Sequence, residues 1–308
     1  MLDQAVAGLE KRGYRAVAVP IGRLEEVRGR YEDLAREGKL DDEFARGLLR
    51  NLTLEPPESM PDAASLVVVA SRDPEVLCVF EWRGEEVRVT VPPTYLHLRE
   101  KGAKVERELE KLLPPGSRVG CLLNAPHKSL AVRSGLALYG RNNITYVPGM
   151  GSFHLLTTVC TDVPCEGVEW SAPAMMPACE FCEACVAACP TGAIPQDRVL
   201  LRAELCVTLW NEKPEGVPFP DWLEPDWHDS LVGCMMCQRA CPENADYVGF
   251  SEDGPRFTGD ETERLLRGGA PEDLTDELRG KLEKWDLLEW LAVLPRNLAV
   301  HLPGAVSG

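Results

Sequence analysis

Eight of the twelve cysteines in this chain stand in two matching runs, and nothing else in the sequence limits the fold so strongly. The first run is Cys179-x2-Cys182-x2-Cys185-x3-Cys189-Pro190; the second is Cys206, a long gap, then Cys234-x2-Cys237-x3-Cys241-Pro242. A C-x2-C-x2-C segment is a tight loop that turns three sulfurs toward one point. A short helix carries the fourth sulfur away, and Pro190 stops that helix because proline cannot extend it. The first run has the spacing of bacterial two-cluster iron–sulfur proteins, in which the last cysteine of each run ligates the other cluster. The second repeats it with one ligand displaced upstream. At four thiolates per cluster, the eight suffice for two 4Fe–4S clusters. Cluster one is assigned to Cys179, Cys182, Cys185 and Cys241, and cluster two to Cys189, Cys206, Cys234 and Cys237. The small residues Ala184, Ala187, Ala188, Gly192 and Ala193 let backbone amides approach the sulfides and raise the potential.

Zinc would want two C-x2-C pairs per ion rather than a triplet followed by Cys-Pro. Disulfides belong to an oxidising compartment. Residues 1–15 carry charges and lack the apolar core of a signal peptide, which points to a reducing, cytoplasmic setting. Cys78, Cys121, Cys160 and Cys165 read as small buried hydrophobes.

The chain is long enough for two domains with a proper core. It holds no apolar run long enough to span a bilayer. A formal net charge of −16 argues against non-specific nucleic-acid binding. That charge is uneven: between Glu110 and Asp162 there is no carboxylate, while Lys111, Arg118, Lys128, Arg133 and Arg141 fall there with His127 and His154. Two readings stand: a buried core segment, or a site for an anion, a phosphate-bearing ligand or a polyanionic partner.

Periodicity predicts helices over 2–12, 24–37, 41–49, 94–113 and 128–134, with Asp41 as an N-cap. Strands are expected at 15–20, 65–70, 119–123, 145–147 and 155–159, and a hairpin at 76–82 and 85–91 around Arg83-Gly84. The fold class is α+β. Residues 1–172 form an α+β cofactor-binding domain, 173–247 a double-cluster ferredoxin-like domain, and 248–308 an acidic helical tail packed on both, with helices at 261–266, 275–285 and 287–294. Trp222, Trp227, Trp285 and Trp290 are expected as core anchors shielding the clusters, and His228 as a packing histidine.

The stretch KSLAVRSGLALYGRNNITYVPGMGSFHLLTTVCTD (128–162), taken with the cysteine runs, resembles the epoxyqueuosine reductase family. Ser134–Leu136, Tyr139–Asn143, Gly151–Ser152 and Thr161–Asp162 fill the places of that family's Gly-rich stretch, Gly-Ser loop and Thr-Asp pair. The segment PDAASLVVVA (61–70) looks like its strand, and GCMMCQRACPEN (233–244) matches closely, including Gln238 and Asn244. The resemblance covers most of residues 60–245 and implies a nitroreductase-like cobalamin-binding domain, with base-off corrinoid near a cluster, as in the related reductive dehalogenases. Lys128, Gly140, Arg141, Asn142, Asn143, Gly151, Ser152 and Phe153 become the candidate cofactor-binding residues: glycines for close backbone approach, amides at the cofactor's rim, and Arg141 or Lys128 at its phosphate tail. Simple turn geometry is the alternative for these glycines.

Two departures bear on function. The family's catalytic Asp would fall near Cys121–Asn124, where this chain has no carboxylate; Tyr139, Cys121, Tyr146 or His127 are candidate replacements. The family's long C-terminal repeat domain has no counterpart in the short tail, and Arg141 replaces the usual Lys. Both put a tRNA substrate in doubt. The expected function is a cobalamin-dependent oxidoreductase fed by a low-potential donor of ferredoxin or flavodoxin type, acting on a small-molecule or nucleotide-type substrate, with no membrane involved. The alternatives are an accessory protein that reduces corrinoid on a partner, and a flavin-type reductase.

Overall fold

The computed structural model describes residues 1–166, 168–196 and 200–305. In chain order the strands are β1 (Arg15–Pro20), β2 (Ser65–Arg72), β3 (Glu75–Trp82), β4 (Glu85–Val91), β5 (Val119–Cys121), β6 (Leu138–Tyr139), β7 (Thr145–Tyr146), β8 (His154–Thr161) and β9 (Ser251–Phe257). The α-helices are α1 (Leu2–Glu10), α2 (Arg23–Arg36), α3 (Asp42–Asn51), α4 (Leu98–Glu110), α5 (His127–Arg133), α6 (Ala184–Ala188), α7 (Val207–Asn211), α8 (Met236–Arg239), α9 (Gly259–Leu266), α10 (Asp276–Lys284) and α11 (Leu294–Ala299).

The first sheet runs β1-β2-β8-β5, antiparallel throughout. Residues 65–70 read as an unbroken apolar run because both faces of this sheet are covered. Leu66, Val68 and Ala70 pack toward Leu24 and Val27 of α2 and Leu130 of α5. Val67 and Val69 alternate to the other face, against Leu2 and Leu9 of α1 and Val105 and Leu109 of α4. β8, buried along its whole length, runs through the middle, and its first half lines the main cavity described below.

The second sheet is β4-β3-β9. Arg83 (φ 52°) and Gly84 (φ 84°) make the two-residue turn between β3 and β4, both in the left-handed region such hairpins need. β9 joins β3 in parallel, with a register shift between Leu77 and Val79. The acidic tail is therefore not purely helical, as its composition suggests. SEDGPRF carries the Gly-Pro and carboxylate signals of a loop, and becomes a strand only because β3 offers it an edge. Phe80 and Phe257 stack with ring centroids 4.8 Å apart, and α9, α10 and α11 close a second core over this sheet with Leu265, Leu278, Leu282 and Leu298. Leu231 and Val232, from the segment leading into Cys234, are buried in the same core.

The helix expected at 94–113 starts later, at Leu98, because Thr94 (φ 77°) and His97 (φ 59°) are left-handed and Pro92-Pro93 precede them. The last expected helix is a 3-10 turn at Leu287–Trp290 followed by α11. Trp285 and Trp290 pack on the second core, whereas Trp222 is half exposed and meets Trp210 edge-on. Residue 167 of the expected first segment, 197–199 of the second and 306–308 of the third lie outside the described residues. Among the described residues no helix is long and apolar enough to cross a membrane.

Candidate functional site

The cysteines gather into the two quartets that the spacing joins. Cys179 on a 3-10 turn, Cys182 in the loop after it and Cys185 on α6 line one small cavity together with Cys241. Cys189, Cys206, Cys234 and Cys237 line a second cavity of about 270 Å³. α6 and α8 pack together, and each hands its last cysteine across to the other run's partners. Among the described residues no three His, Cys, Asp or Glu side chains converge on a single metal-ion point; each quartet rings a space. Burial pushes the Cys185 thiol up to about 11, and Cys179, Cys206, Cys234 and Cys237 move the same way for the same reason. A bound iron–sulfur group supplies the positive charge that holds such thiols as thiolates.

Donors already point at these sulfurs. The amides of Thr208 and Leu209 reach Cys206, the Met236 amide reaches Cys234, and the Asn142 side chain reaches Cys237. Tyr146 turns its hydroxyl to Cys241, and Thr191 Oγ1 lies 3.5 Å from Cys189 Sγ. Such hydrogen bonds orient cluster ligands and raise their potential. Gly140 is glycine because a Cβ there would sit 2.5 Å from Asn142 Oδ1 and 2.6 Å from the Tyr146 ring, so it packs on these donors.

Arg141 does not reach for a cofactor phosphate. Its guanidinium donates to four backbone carbonyls: Cys179 at 2.6 Å, Gln196 at 2.8 Å, Cys182 at 3.2 Å and Glu180 at 3.3 Å. It clasps the first cysteine loop. The rest of the cationic stretch is also engaged: Lys111 with Glu108, Arg118 with Asp62 and Asp162, and Arg133 with Glu26 while stacked over Trp170. Of the five, Lys128 lines the larger cavity described next and Arg141 the first quartet's small one.

The larger cavity, of about 390 Å³, lies between the first sheet and the cysteine loops. Leu122, Leu123, Leu155, Leu156 and Ile144 make much of its wall; Lys128, Ser152, Gln238 and Cys234 are its polar side. Cys234 and Lys128 also line the second quartet's cavity. Both histidines on the wall are spent. His127 bonds Thr158 Oγ1 (2.8 Å) and the Leu123 carbonyl (3.0 Å); His154 bonds Thr145 Oγ1 and the Gly151 carbonyl (3.1 Å each). Burial lowers both, His154 to about 4, so they are neutral at pH 7.

Of the expected cofactor residues, Lys128 and Ser152 line this cavity, while Asn142 and Asn143 face the second quartet instead. The Gly-Ser loop is a latch. Ser152 N–H donates to Asn244 Oδ1 (2.9 Å), Asn244 Nδ2 donates to Ser152 Oγ (2.8 Å), and Ser152 Oγ donates to Gln238 Oε1 (2.8 Å). Gly151 (φ 55°) packs where a Cβ would lie 2.5 Å from Asn244 Oδ1, and Phe153 is buried in the interior. Of the candidate catalytic groups, Cys121 lines the cavity, with burial raising its thiol to about 11. Tyr139 is not on its wall. It packs on the core under α2 beside Tyr31 and Ser129, because the β6–β7 ribbon turns it away.

Sequence reasoning missed Tyr95 and Glu212. Tyr95 lines the main cavity and donates its hydroxyl to Glu212 Oε1 at 2.5 Å. Glu212 lines the second quartet's cavity, near Lys128. Both Glu212 and Lys128 are reachable from the cavities. They lie deep enough that burial raises the Glu212 carboxyl and lowers the Lys128 amine.

Residues 178–244 match the family model of the 4Fe–4S double cluster binding domain. Epoxyqueuosine reductases from Cyclobacterium marinum and Synechococcus sp. are each 32% identical, over 52% and 49% of this chain and 48% and 45% of theirs. The chain thus spans about half the length of the curated relatives it matches. Among solved structures, epoxyqueuosine reductase from Bacillus subtilis, its catalytic aspartate loop swung out of the active site, superposes with a TM-score of 0.63 at 19% identity, over 93% of this chain and 76% of that one. An epoxyqueuosine reductase holding an epoxyqueuosine-modified tRNA-Tyr stem loop gives 0.61 at 19% identity, over 94% and 76%. The structural likeness speaks for a shared mixed α+β fold, and the family-model match for the cysteine-rich segment. Together they make this chain similar to the epoxyqueuosine reductases, with a match to the double 4Fe–4S cluster domain.

Proposed function

We propose that this protein is an iron–sulfur reductase that passes low-potential electrons through its two clusters to a base-off cobalamin in the main cavity. The observation that carries the reading is Cys234, a wall residue of both the main cavity and the second quartet's cavity. A ligand in the main cavity would touch the protein at a cluster ligand. We assign the eight cysteines to clusters as their spacing pairs them, residues 1–172 to cofactor binding, 173–247 to the clusters, and the tail to holding both.

The residues present fit a base-off corrinoid. The wall is largely apolar, and both imidazoles on it are tied through both ring nitrogens by other partners, leaving no free imidazole among the described lining residues. Ser152 and Lys128 would meet its polar rim. When bound, the corrinoid supplies strongly reducing chemistry that needs low-potential electrons, and 4Fe–4S clusters reach such potentials. The protein's part is to exclude water with the Leu122–Leu123 and Leu155–Leu156 walls and to deliver electrons one at a time.

The donor is a one-electron protein of ferredoxin or flavodoxin type, and the substrate a small or nucleotide-type molecule. The loop that begins at Cys121 presents Leu122 and Leu123 to the cavity, not a carboxylate, so turnover of epoxyqueuosine-modified tRNA should be poor. The test is anaerobic titration of the cluster-loaded protein with hydroxocobalamin. A base-off spectrum that co-elutes with the protein on gel filtration is expected; an unchanged spectrum with no retention overturns the proposal.

A further inference from the structure

We infer that Tyr95 is the proton donor to the substrate in the main cavity, and that Glu212 resupplies it. The inference rests on the reductive reading above and names a residue of this chain for it.

Tyr95 stands on the cavity wall, and its hydroxyl is hydrogen-bonded to Glu212. Its position is enforced. Thr94 (φ 77°) and His97 (φ 59°), both outside glycine's privilege, bracket it in the left-handed region. Strain of this kind persists where the surroundings over-determine it, and it gathers at functional sites. Here the surroundings are visible: Asp73, buried between strands β2 and β3, accepts the Thr94 N–H at 2.9 Å and pairs with Lys101 at the start of α4. On its other side the Tyr95 hydroxyl lies against Gly233, where a Cβ would come within 2.7 Å of it. Gly233 directly precedes Cys234, so the phenol is fixed beside the second quartet as well as on the cavity.

Several other proton-bearing groups on the wall are committed elsewhere, while Lys128 and Cys121 also line it. Both imidazoles bond through both ring nitrogens, Thr145 is taken by His154, and Ser152 by Gln238. Tyr95 differs in having behind it a carboxyl that opens into a second, water-reachable cavity. A proton can therefore pass from water to Glu212, from Glu212 to Tyr95, and from Tyr95 into the reaction cavity.

The step balances as follows. Two electrons, drawn singly from the external donor through the clusters, enter a carbon–oxygen bond of the substrate. The bond breaks with its electron pair on oxygen, and that oxygen takes the Tyr95 proton. The Glu212 carboxylic acid reprotonates the phenolate and is itself restored from water. The carbon fragment takes its proton from water, and the oxidised clusters are re-reduced by the donor. General acid groups of this kind accelerate such steps by about 10²–10⁴-fold.

The test uses the full chain loaded with both clusters and hydroxocobalamin, reduced methyl viologen as donor and styrene oxide as probe. Tyr95→Phe should lower kcat by about 100-fold or more with little change in KM, while iron content and the base-off spectrum stay as in the parent protein. Glu212→Gln should lower kcat by roughly 10-fold or more, with Glu212→Asp recovering part of it. Independently of turnover, redox-difference infrared spectra should show a deuterium-sensitive carboxylic-acid band that Glu212→Gln removes and Tyr95→Phe shifts. Unaltered turnover in Tyr95→Phe, a missing band, or a loaded parent protein that leaves styrene oxide untouched overturns the inference. Loss of the base-off spectrum in the parent protein overturns the earlier reading instead, which separates the two failures.

Discussion

Replacing Arg141 by alanine should loosen one cluster and spare the other. The guanidinium ties the loop from Cys179 to Cys182, through three of its carbonyls, to the Gln196 carbonyl, and two of the four bonds, to Cys179 at 2.6 Å and to Gln196 at 2.8 Å, are short enough to count fully. At a net ~1 kcal/mol each, their loss removes about 2 kcal/mol of restraint; the two longer bonds add little. Converted at 1.4 kcal/mol per tenfold, that is an approximately 30-fold faster escape of the first cluster. The assay is anaerobic iron chelation followed at the cluster absorbance. The parent protein should lose its two clusters slowly. Arg141→Ala should lose about half its iron in a fast phase and the rest at the parent rate, since no second-quartet carbonyl is held by this side chain. Arg141→Lys should behave like the alanine variant, because a single ammonium cannot span the same carbonyls. Parent-like kinetics in both variants, or equal acceleration of both clusters, would refute the claim that this arginine clasps the first loop.

Two other outcomes follow from the same geometry. Anaerobically prepared protein should hold about eight irons per chain. Cys189→Ala should lose about half of that from the second quartet, which Cys189 lines despite sitting at the end of the helix that carries Cys185; equal damage to both clusters would break the pairing. The second outcome concerns pH. His154 and His228 are both held down to about 4 by burial, against an ordinary value of 6.5. The unfolded chain binds these protons first as pH falls, so stability is at its plateau above pH 6.5 and declines between 6.5 and 4, by up to about 1.4 kcal/mol per pH unit for each histidine. Unfolding midpoints that rise as pH drops through this window would contradict the assignment, and His154→Gln with His228→Gln should flatten the decline.

What the sequence made legible depended on how local the cause was. The quartets are written in spacing, because a three-residue step along a loop or short helix fixes where each sulfur can point. The stretch at 65–70 announced a strand covered on both faces by its β-branched run, and Arg83-Gly84 announced its own turn. β9 was illegible for the opposite reason: SEDGPRF has no preference for a strand apart from the free edge of β3, more than 160 residues away in sequence. Arg141 looked like a cofactor contact because a cation in a Gly-Asn stretch suggests a phosphate, and only the fold shows carbonyls closing around it. Tyr95 carried no signal at all. Its meaning comes from Glu212, 117 residues on, and from strain in a loop that the sequence reads as the first turn of a helix.

The same contrast explains how the cysteine loops are held. α6, α7 and α8 are five, five and four residues long, too short to be stable on their own. The loops between them are held from outside by side chains that donate to backbone. Arg141 grips the first run, Asn244 ties the second to the Gly-Ser loop, and α11 grips the segment between Cys206 and Cys234. There Asn297, fully buried, donates to the Asn211 and Leu231 carbonyls at 2.8 and 2.9 Å, and Arg296 donates to Val217 and Trp210. Asn211 in turn donates to the Gly233 carbonyl at 2.7 Å, one residue before Cys234 and against the Tyr95 hydroxyl. The tail therefore reaches the main cavity through two asparagines. Elements this short need the C-terminal helix to fix where the second quartet meets the main cavity, which is why the tail shares a core with Leu231 and Val232 instead of packing as a separate unit.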